Sequence, residues 1–407
     1  MPDRLSRPEF VALMAMLFAT VAFAIDAMLP AMPEIAAEVS PEAPNRAQLI
    51  ITSFVLGMGV GTMFTGPLSD AFGRRPVILA GATLYIAGSA MAWVAQSLEL
   101  LLAARVLQGL GAAGPRVVAL AIIRDLYEGR TMAQLISFVM LVFTLIPAVA
   151  PAMGAGIIAV AGWRAIFLAF ILFSVISVLW LVLRQRETLQ VADRRPFRLA
   201  VLADGISQVC ANRQVVLTMA VLSLTFGMLF TVLASTQPVF DITFGRAATF
   251  HWWFALIAVL SASGSILNAA IVVRLGMRRV VKISLLSQIL FSGAMAGLIF
   301  SDHITGDAQF YIYVVWTTGV FLMAGLTIGN LNALAMAPMG HLAGMTASIV
   351  GSVATVCAVI IAVPIGLAFD GTPRALVLGV LICALVGFLI TRLLDDVTPD
   401  AIEETNA

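Results

Sequence analysis

Charge is what this chain has least of. Asp, Glu, Lys and Arg together make up 11% of its 407 residues and hydrophobic types 61%, where a soluble domain carries about 25% and roughly 45–50%. With a mean hydropathy of +1.03, a soluble globular fold is excluded. The three cysteines, Cys210, Cys357 and Cys383, lie far apart in or beside apolar segments and form no C-x-x-C pair, so neither a disulfide framework nor a zinc site is indicated. The three histidines, His251, His303 and His341, are isolated, and H-E-x-x-H, G-x-S-x-G and the P-loop are all missing. That leaves no catalytic constellation, no metal site and no cofactor or ATP-binding loop. The chain is not expected to be an enzyme, and any work it does draws on a gradient. A net charge of +1 gives no sign of a nucleic-acid partner.

What is present is apolar length. A bilayer core takes about 20 apolar residues in a helix, because every backbone polar group must be satisfied within the segment. Twelve stretches qualify, near 10–36, 47–69, 76–96, 99–123, 132–160, 164–183, 214–236, 250–273, 279–300, 309–336, 344–369 and 372–394. The expected fold class is all-α integral membrane, with twelve transmembrane helices. The first span is drawn long because "PAMPEIAA" at 30–37 can continue it after a proline kink. Arg4, Arg7 and "AFA" at 22–24 have the outline of a cleavable signal peptide, but a polytopic chain needs none, and the segment reads as the first span.

Basic residues stay on the cytoplasmic side of a membrane. With the N-terminus inside, the inner connections hold 17 of the 23 Lys and Arg and the outer ones four, Arg46, Arg164, Arg246 and Arg374. Both termini are therefore expected in the cytoplasm. Arg105 and Arg116 fall inside the fourth span. The longest connection, 184–213, is basic and partly amphipathic and divides the spans six and six, into halves 1–183 and 214–407. "DAFGRRPV" at 70–77 and "RLGMRRVV" at 274–281 occupy the same place in each half, which points to internal duplication. Parallel halves related about the membrane normal, with a substrate site between them, are a transporter architecture.

The stretch "GPLSDAFGRRPV", with Gly66, Asp70, Gly73, Arg74 and Arg75, resembles the loop signature of the major facilitator superfamily; Ala71 stands where a basic residue is usual. "RVLQGLGAAG" at 105–114 is similar to the fourth-helix signature of its proton-coupled drug exporters, matching at Arg105, Gln108, Gly109 and Gly111. "IDAMLPAMPEIA", "IIRDLYEG", "PAVAPAMGAGI" and "RETL" together resemble the branch that includes the bicyclomycin and chloramphenicol resistance proteins. That branch usually has Asp-Met-Tyr-Leu-Pro in its first helix, and the run here is Asp-Ala-Met-Leu-Pro. The resemblance implies two pseudo-symmetric six-helix halves, export of small amphipathic compounds in exchange for protons, and a gating role for the loop at 70–75.

Asp26 is the acid expected to carry the coupled proton. An ionisable side chain at membrane depth costs about 2.5–3.5 kcal/mol or more and is tolerated mainly where it faces a cavity or a partner; the plain alternative is a solvated helix end. Glu34 follows eight residues on, about 80° around a helix, and is either a second site acid or a solvated one. Arg105 is the natural counter-charge. Arg116, eleven residues beyond it and about 20° away around the helix, either extends a polar stripe with Arg105 and Gln108 or snorkels to the inner surface. "GLGAAG" in the same span fails as a dinucleotide fingerprint, since no strand precedes it; its small residues, like "GMGVG" at 57–61, suit close helix packing.

Asp70, Gly73, Arg74 and Arg75 are read as a latch on the inner side, with Asp70 accepting from a helix N-terminus or pairing with Arg124. Candidate pocket residues are Phe23, Met28, Phe54, Gln108, Phe143, Phe230, Asn268 and Asn330, with Phe138, Phe226, Trp316 and Asn332 beside them; the asparagines serve equally as interhelical hydrogen-bond partners. The expected activity is proton-coupled antiport of drugs across a bacterial inner membrane, the alternative being a metabolite exporter or proton symporter of the same fold. Expected partners are a small molecule, protons and membrane lipid, with the chain acting as a monomer.

Overall fold

The computed structural model describes residues 5–301 and 306–394; Arg4 and His303 lie outside them. Among the described residues, twelve helical segments are long and apolar enough to cross a membrane, and no strand is present. The first is α1 (Arg7–Asp26) continued by α2 (Met32–Val39), and α3 (Leu49–Phe72), α4 (Arg74–Trp93), α5 (Leu98–Leu126), α6 (Gly129–Ala161) and α7 (Ala165–Arg184) follow. After a connecting helix, α8 (Leu199–Ala211), come α9 (Arg213–Pro238), α10 (Phe250–Leu275), α11 (Met277–Ser301), α12 (Asp307–Met336), α13 (Ala343–Leu367) and α14 (Arg374–Thr391). Each of the twelve spans lies where apolar length puts it, and the amphipathic stretch of the linker is α8.

Two prolines shape the first span. Pro30 has no N–H to give the carbonyl of Asp26, and Pro33 none for that of Leu29, so α1 ends at Asp26 and a 3-10 turn, Leu29–Ala31, joins it to α2. Between α3 and α4 the chain turns at Gly73 with φ 103°, and between α10 and α11 at Gly276 with φ 79°. Only glycine holds such a backbone without strain, and the two turns stand at equivalent places in the two loops that resemble each other.

Packing repeats as the loops do. In the first six spans α3 and α4 both pack on α5, α1 packs on α6, and α4 on α7. Six spans further on, α10 and α11 both pack on α12, α9 on α13, and α11 on α14. The two sets meet through α3 against α13 and α6 against α10. Small residues permit the closest of these contacts. A Cβ on Gly57 would stand 2.0 Å from the carbonyl oxygen of Val106, and one on Gly109 2.0 Å from that of Phe54. α3 and α5 therefore touch backbone to backbone, as "GMGVG" and "GLGAAG" suggest.

Candidate functional site

A cavity of about 1270 Å³ lies between the two sets of spans. It runs from Asp26 down to Asp70 and Arg74 and to the linker residues Arg195, Pro196, Phe197 and Arg198. Its wall includes the apolar side chains Phe18, Met58, Phe143, Phe226, Phe230, Phe254 and Phe321 and, besides the charged groups, uncharged polar ones such as Thr62, Ser265, Asn268 and Asn332. At the other end the spans close on each other. The Gln48 side-chain amide donates to the carbonyl of Gly366 at 3.1 Å and its oxygen accepts from Ser235 at 2.9 Å. The Asn45 amide donates to the carbonyl of Phe369. A Cβ on Gly366 would come within 2.6 Å of Gln48 Oε1, so the missing side chain is what admits the glutamine.

Asp26 is buried at 4% exposure, faces this cavity, and has no hydrogen-bond or ion-pair partner among the described residues. It sits there because α1 ends on it. Arg105 is not its partner, which corrects the expected ion pair. The guanidinium is fully buried outside the cavity wall and spends its donors elsewhere: Nε to the carbonyl of Ile50 (3.2 Å), Nη2 to that of Ala24 (3.1 Å) and Nη1 to Gln108 Oε1 (2.5 Å). It also lies 4.5 Å above the Phe54 ring centre. Gln108 passes the chain on to Ser89 at 2.8 Å, so Arg105 ties α1, α3, α4 and α5 together. Glu34 is corrected too: the 3-10 turn re-aims α2, and Glu34 stands exposed in its first turn, away from the cavity.

The stripe expected along α5 divides at the same point. Arg105 and Gln108 are sealed in the bundle, whereas Arg116 lines the cavity, with Nη1 3.3 Å from Met58 Sδ. Of the pocket residues expected, Phe143, Phe230, Asn268, Phe226 and Asn332 do line it. Phe23 stacks instead on Phe170 and Phe173, Met28 and Phe54 are fully buried, and Asn330 supports Asn268 by donating to its Oδ1 at 2.7 Å. Trp316 donates to Ser292, and Phe138 points outward at 48% exposure.

At the mouth, the loop residues make an ion-pair and hydrogen-bond cluster whose partners differ from those expected. Arg74 pairs with Asp70 at 2.5 Å and with Asp125 at 2.9 Å, and the backbone N–H groups of Arg74 and Arg75 donate to the two carboxylate oxygens of Glu187 at 2.9 and 3.0 Å. Thr188 Oγ1 donates to Asp125 at 2.7 Å, Arg75 Nη2 to the carbonyl of Val182 at 2.9 Å, and the N–H of Arg195 to the carbonyl of Asp70 at 3.0 Å. Arg124 does not reach Asp70; it faces the cavity, and its neighbour Asp125 makes the ion pair. Asp125 and Glu187 stand in "IIRD" and "RETL", where residue type alone does not mark them as partners of the loop. Around Gly276 no atom of the described residues comes within 4 Å of where a Cβ would be.

A family model described as Major Facilitator Superfamily matches residues 12–363. The chain belongs to this superfamily. Among relatives, it is 29% identical over 348 residues to a bicyclomycin resistance protein homolog of Haemophilus influenzae, covering 84% of this chain and 85% of that one. It is 37% identical over 144 residues to a chloramphenicol resistance protein of Pseudomonas aeruginosa, covering 35% and 34%. These bear out the branch read from the first-helix and loop motifs. The crystal structure of a D-xylose-proton symporter superposes with a TM-score of 0.73 over 94% of this chain and 97% of that one, at 14% identity. That identity shows the fold alone. The protein is thus a multi-pass major facilitator transporter, built to move a small molecule.

Proposed function

We propose that this transporter exports drugs or similar small amphipathic compounds from a bacterial cytoplasm in exchange for protons. The observation that carries the reading is Asp26, a carboxyl with no partner among the described residues, facing an aromatic-lined cavity. In the outward-facing state the carboxyl takes a proton and substrate leaves; in the inward-facing state the proton leaves to the cytoplasm and substrate enters. Each then excludes the other, so inward proton flow drives outward substrate flow. The positive-inside count supports a cytoplasmic position for the Asp70–Arg74 loop and both termini, and the cavity reaching that loop is then the inward-facing state. We take 1–183 and 214–407 as the two bundles that rock against each other, joined by 184–213, with the latch holding one arrangement of the loop and linker. The names of the relatives support drugs as cargo.

The test uses everted membrane vesicles with an imposed pH gradient and a fluorescent pH probe, with phenicols, bicyclomycin, lipophilic cations and sugars added in turn. A drug should collapse the gradient with the wild-type chain and not with Asp26→Asn. An equal response in the mutant removes Asp26 from coupling, and a response to sugars alone makes the protein a metabolite transporter.

A further inference from the structure

We propose that Arg116 is an anion subsite, and that the substrate class is a zwitterionic amphipathic compound spanning from Arg116 to Asp26. The proposal rests on the cavity being the substrate site of the exporter described above. Arg116 stands ten residues before the end of α5 at Leu126, about 15 Å from that end, too deep to be a surface charge. Its one acceptor among the described residues is the Met58 thioether, a weak one, and no carboxylate forms an ion pair with it. Two nearby arginines have acceptors of their own, Arg105 two carbonyls and an amide, Arg74 two carboxylates. A guanidinium at membrane depth with unused donors is expensive to keep, and its planar fork fits a carboxylate.

Asp26 supplies the opposite charge in the same cavity, and the two do not quench each other because they differ in depth. Arg105 reaches Ala24 on α1, whereas Met58, which Arg116 touches, lies beside Gly57, whose own neighbours are Val106 and Leu110 of α5. Counting residues along the helices separates the Arg116 tip from Asp26 by about 10 Å in depth. Between them the wall offers Phe143, Phe226 and Phe230, which suit an apolar or aromatic middle. At the mouth, Arg124, Arg195 and Arg198 draw anions inward.

The experiment measures binding to the purified full chain in lipid nanodiscs. The probes are 4'-(aminomethyl)biphenyl-4-carboxylic acid, a rigid fluorescent zwitterion, and its methyl ester, which lacks the anion. The wild type should bind the acid roughly 10- to 100-fold more tightly than the ester, the range for a charge-assisted hydrogen-bonded pair. Arg116→Gln should bring that ratio to about one, and binding of the ester at all reports that the variant is folded; Arg116→Lys should keep part of the preference. Three outcomes overturn the proposal: no preference for the acid in the wild type, a preference that survives in Arg116→Gln, or binding of neither compound. Gradient collapse by neutral drugs without acid preference would sink the subsite and spare the exporter. Arg116-dependent acid binding without proton-linked flux would do the reverse.

Discussion

Arg105 Nη2 donates to the carbonyl of Ala24 at 3.1 Å, and that carbonyl is free because Met28 gives its N–H to Ile25 instead, at 3.3 Å. The break that leaves Asp26 facing the cavity is thus closed from behind by an arginine on another helix. Buried acceptors left unpaired cost about 1–3 kcal/mol each. Arg105→Ala should lower stability by about 3 kcal/mol, and Arg105→Lys, which cannot reproduce a three-pronged fork, should recover only part. Thermal unfolding in detergent, followed by tryptophan fluorescence, measures both.

Asp70 and Asp125 serve one guanidinium from unequal positions. The Asp125 side chain is 17% exposed and holds Arg74 through both oxygens, whereas that of Asp70 is 49% exposed. Asp125→Asn should therefore destabilise by about 2 kcal/mol and Asp70→Asn by less than about 1 kcal/mol. The double mutant should exceed the sum, because the guanidinium then has no carboxylate. A double-mutant cycle read by denaturation supplies the coupling.

Gly73 and Gly276 separate backbone strain from contact. Both have a φ in the glycine region, yet a Cβ on Gly73 would meet Glu187 Oε2 at 2.8 Å and one on Gly276 meets nothing within 4 Å among the described residues. Each alanine substitution should cost about 1–3 kcal/mol in strain, with Gly73→Ala the more severe. In a Glu187→Ala background the difference should shrink to what Arg194 Nη2, 3.0 Å from the same Cβ position, still imposes; an unchanged difference would mean that Glu187 is not the obstruction.

Gln48 seals the end of the cavity opposite the latch through Gly366 and Ser235. Gln48→Ala should loosen that end. In a chain whose three cysteines are replaced by serine, a reporter Ile51→Cys should react several-fold faster with a membrane-impermeant maleimide when Gln48 is also removed. An unchanged rate would assign the seal to other contacts.

The spans were legible because apolar length is a property of composition, and lipid leaves the backbone no alternative to a helix. Asp26 was legible because a lone acid in an apolar run needs a cavity. Its separation from Arg105 was not, since one of the arginine's acceptors is the Ala24 carbonyl, released by a break whose geometry no residue type announces. Glu34 misled for the same reason: counting 100° per residue assumes one continuous helix, and the turn at Leu29–Ala31 resets the count. In the latch, Arg124 and Asp125 are neighbours pointing about 100° apart, and the sequence does not say which of them faces Arg74. Gln48 gave no signal at all, because its role depends on a glycine more than 300 residues away.

The clamp around Gly73 draws on residues 70–75, 125, 187–188 and 195. Chains emerge from the ribosome N-terminus first at roughly 5–20 residues per second, so the loop at Gly73 waits several seconds for Glu187 to arrive. Until then Arg74 and Arg75 lack the carboxylate that orders their backbone. The clamp can therefore close only once all of the first six spans have been made.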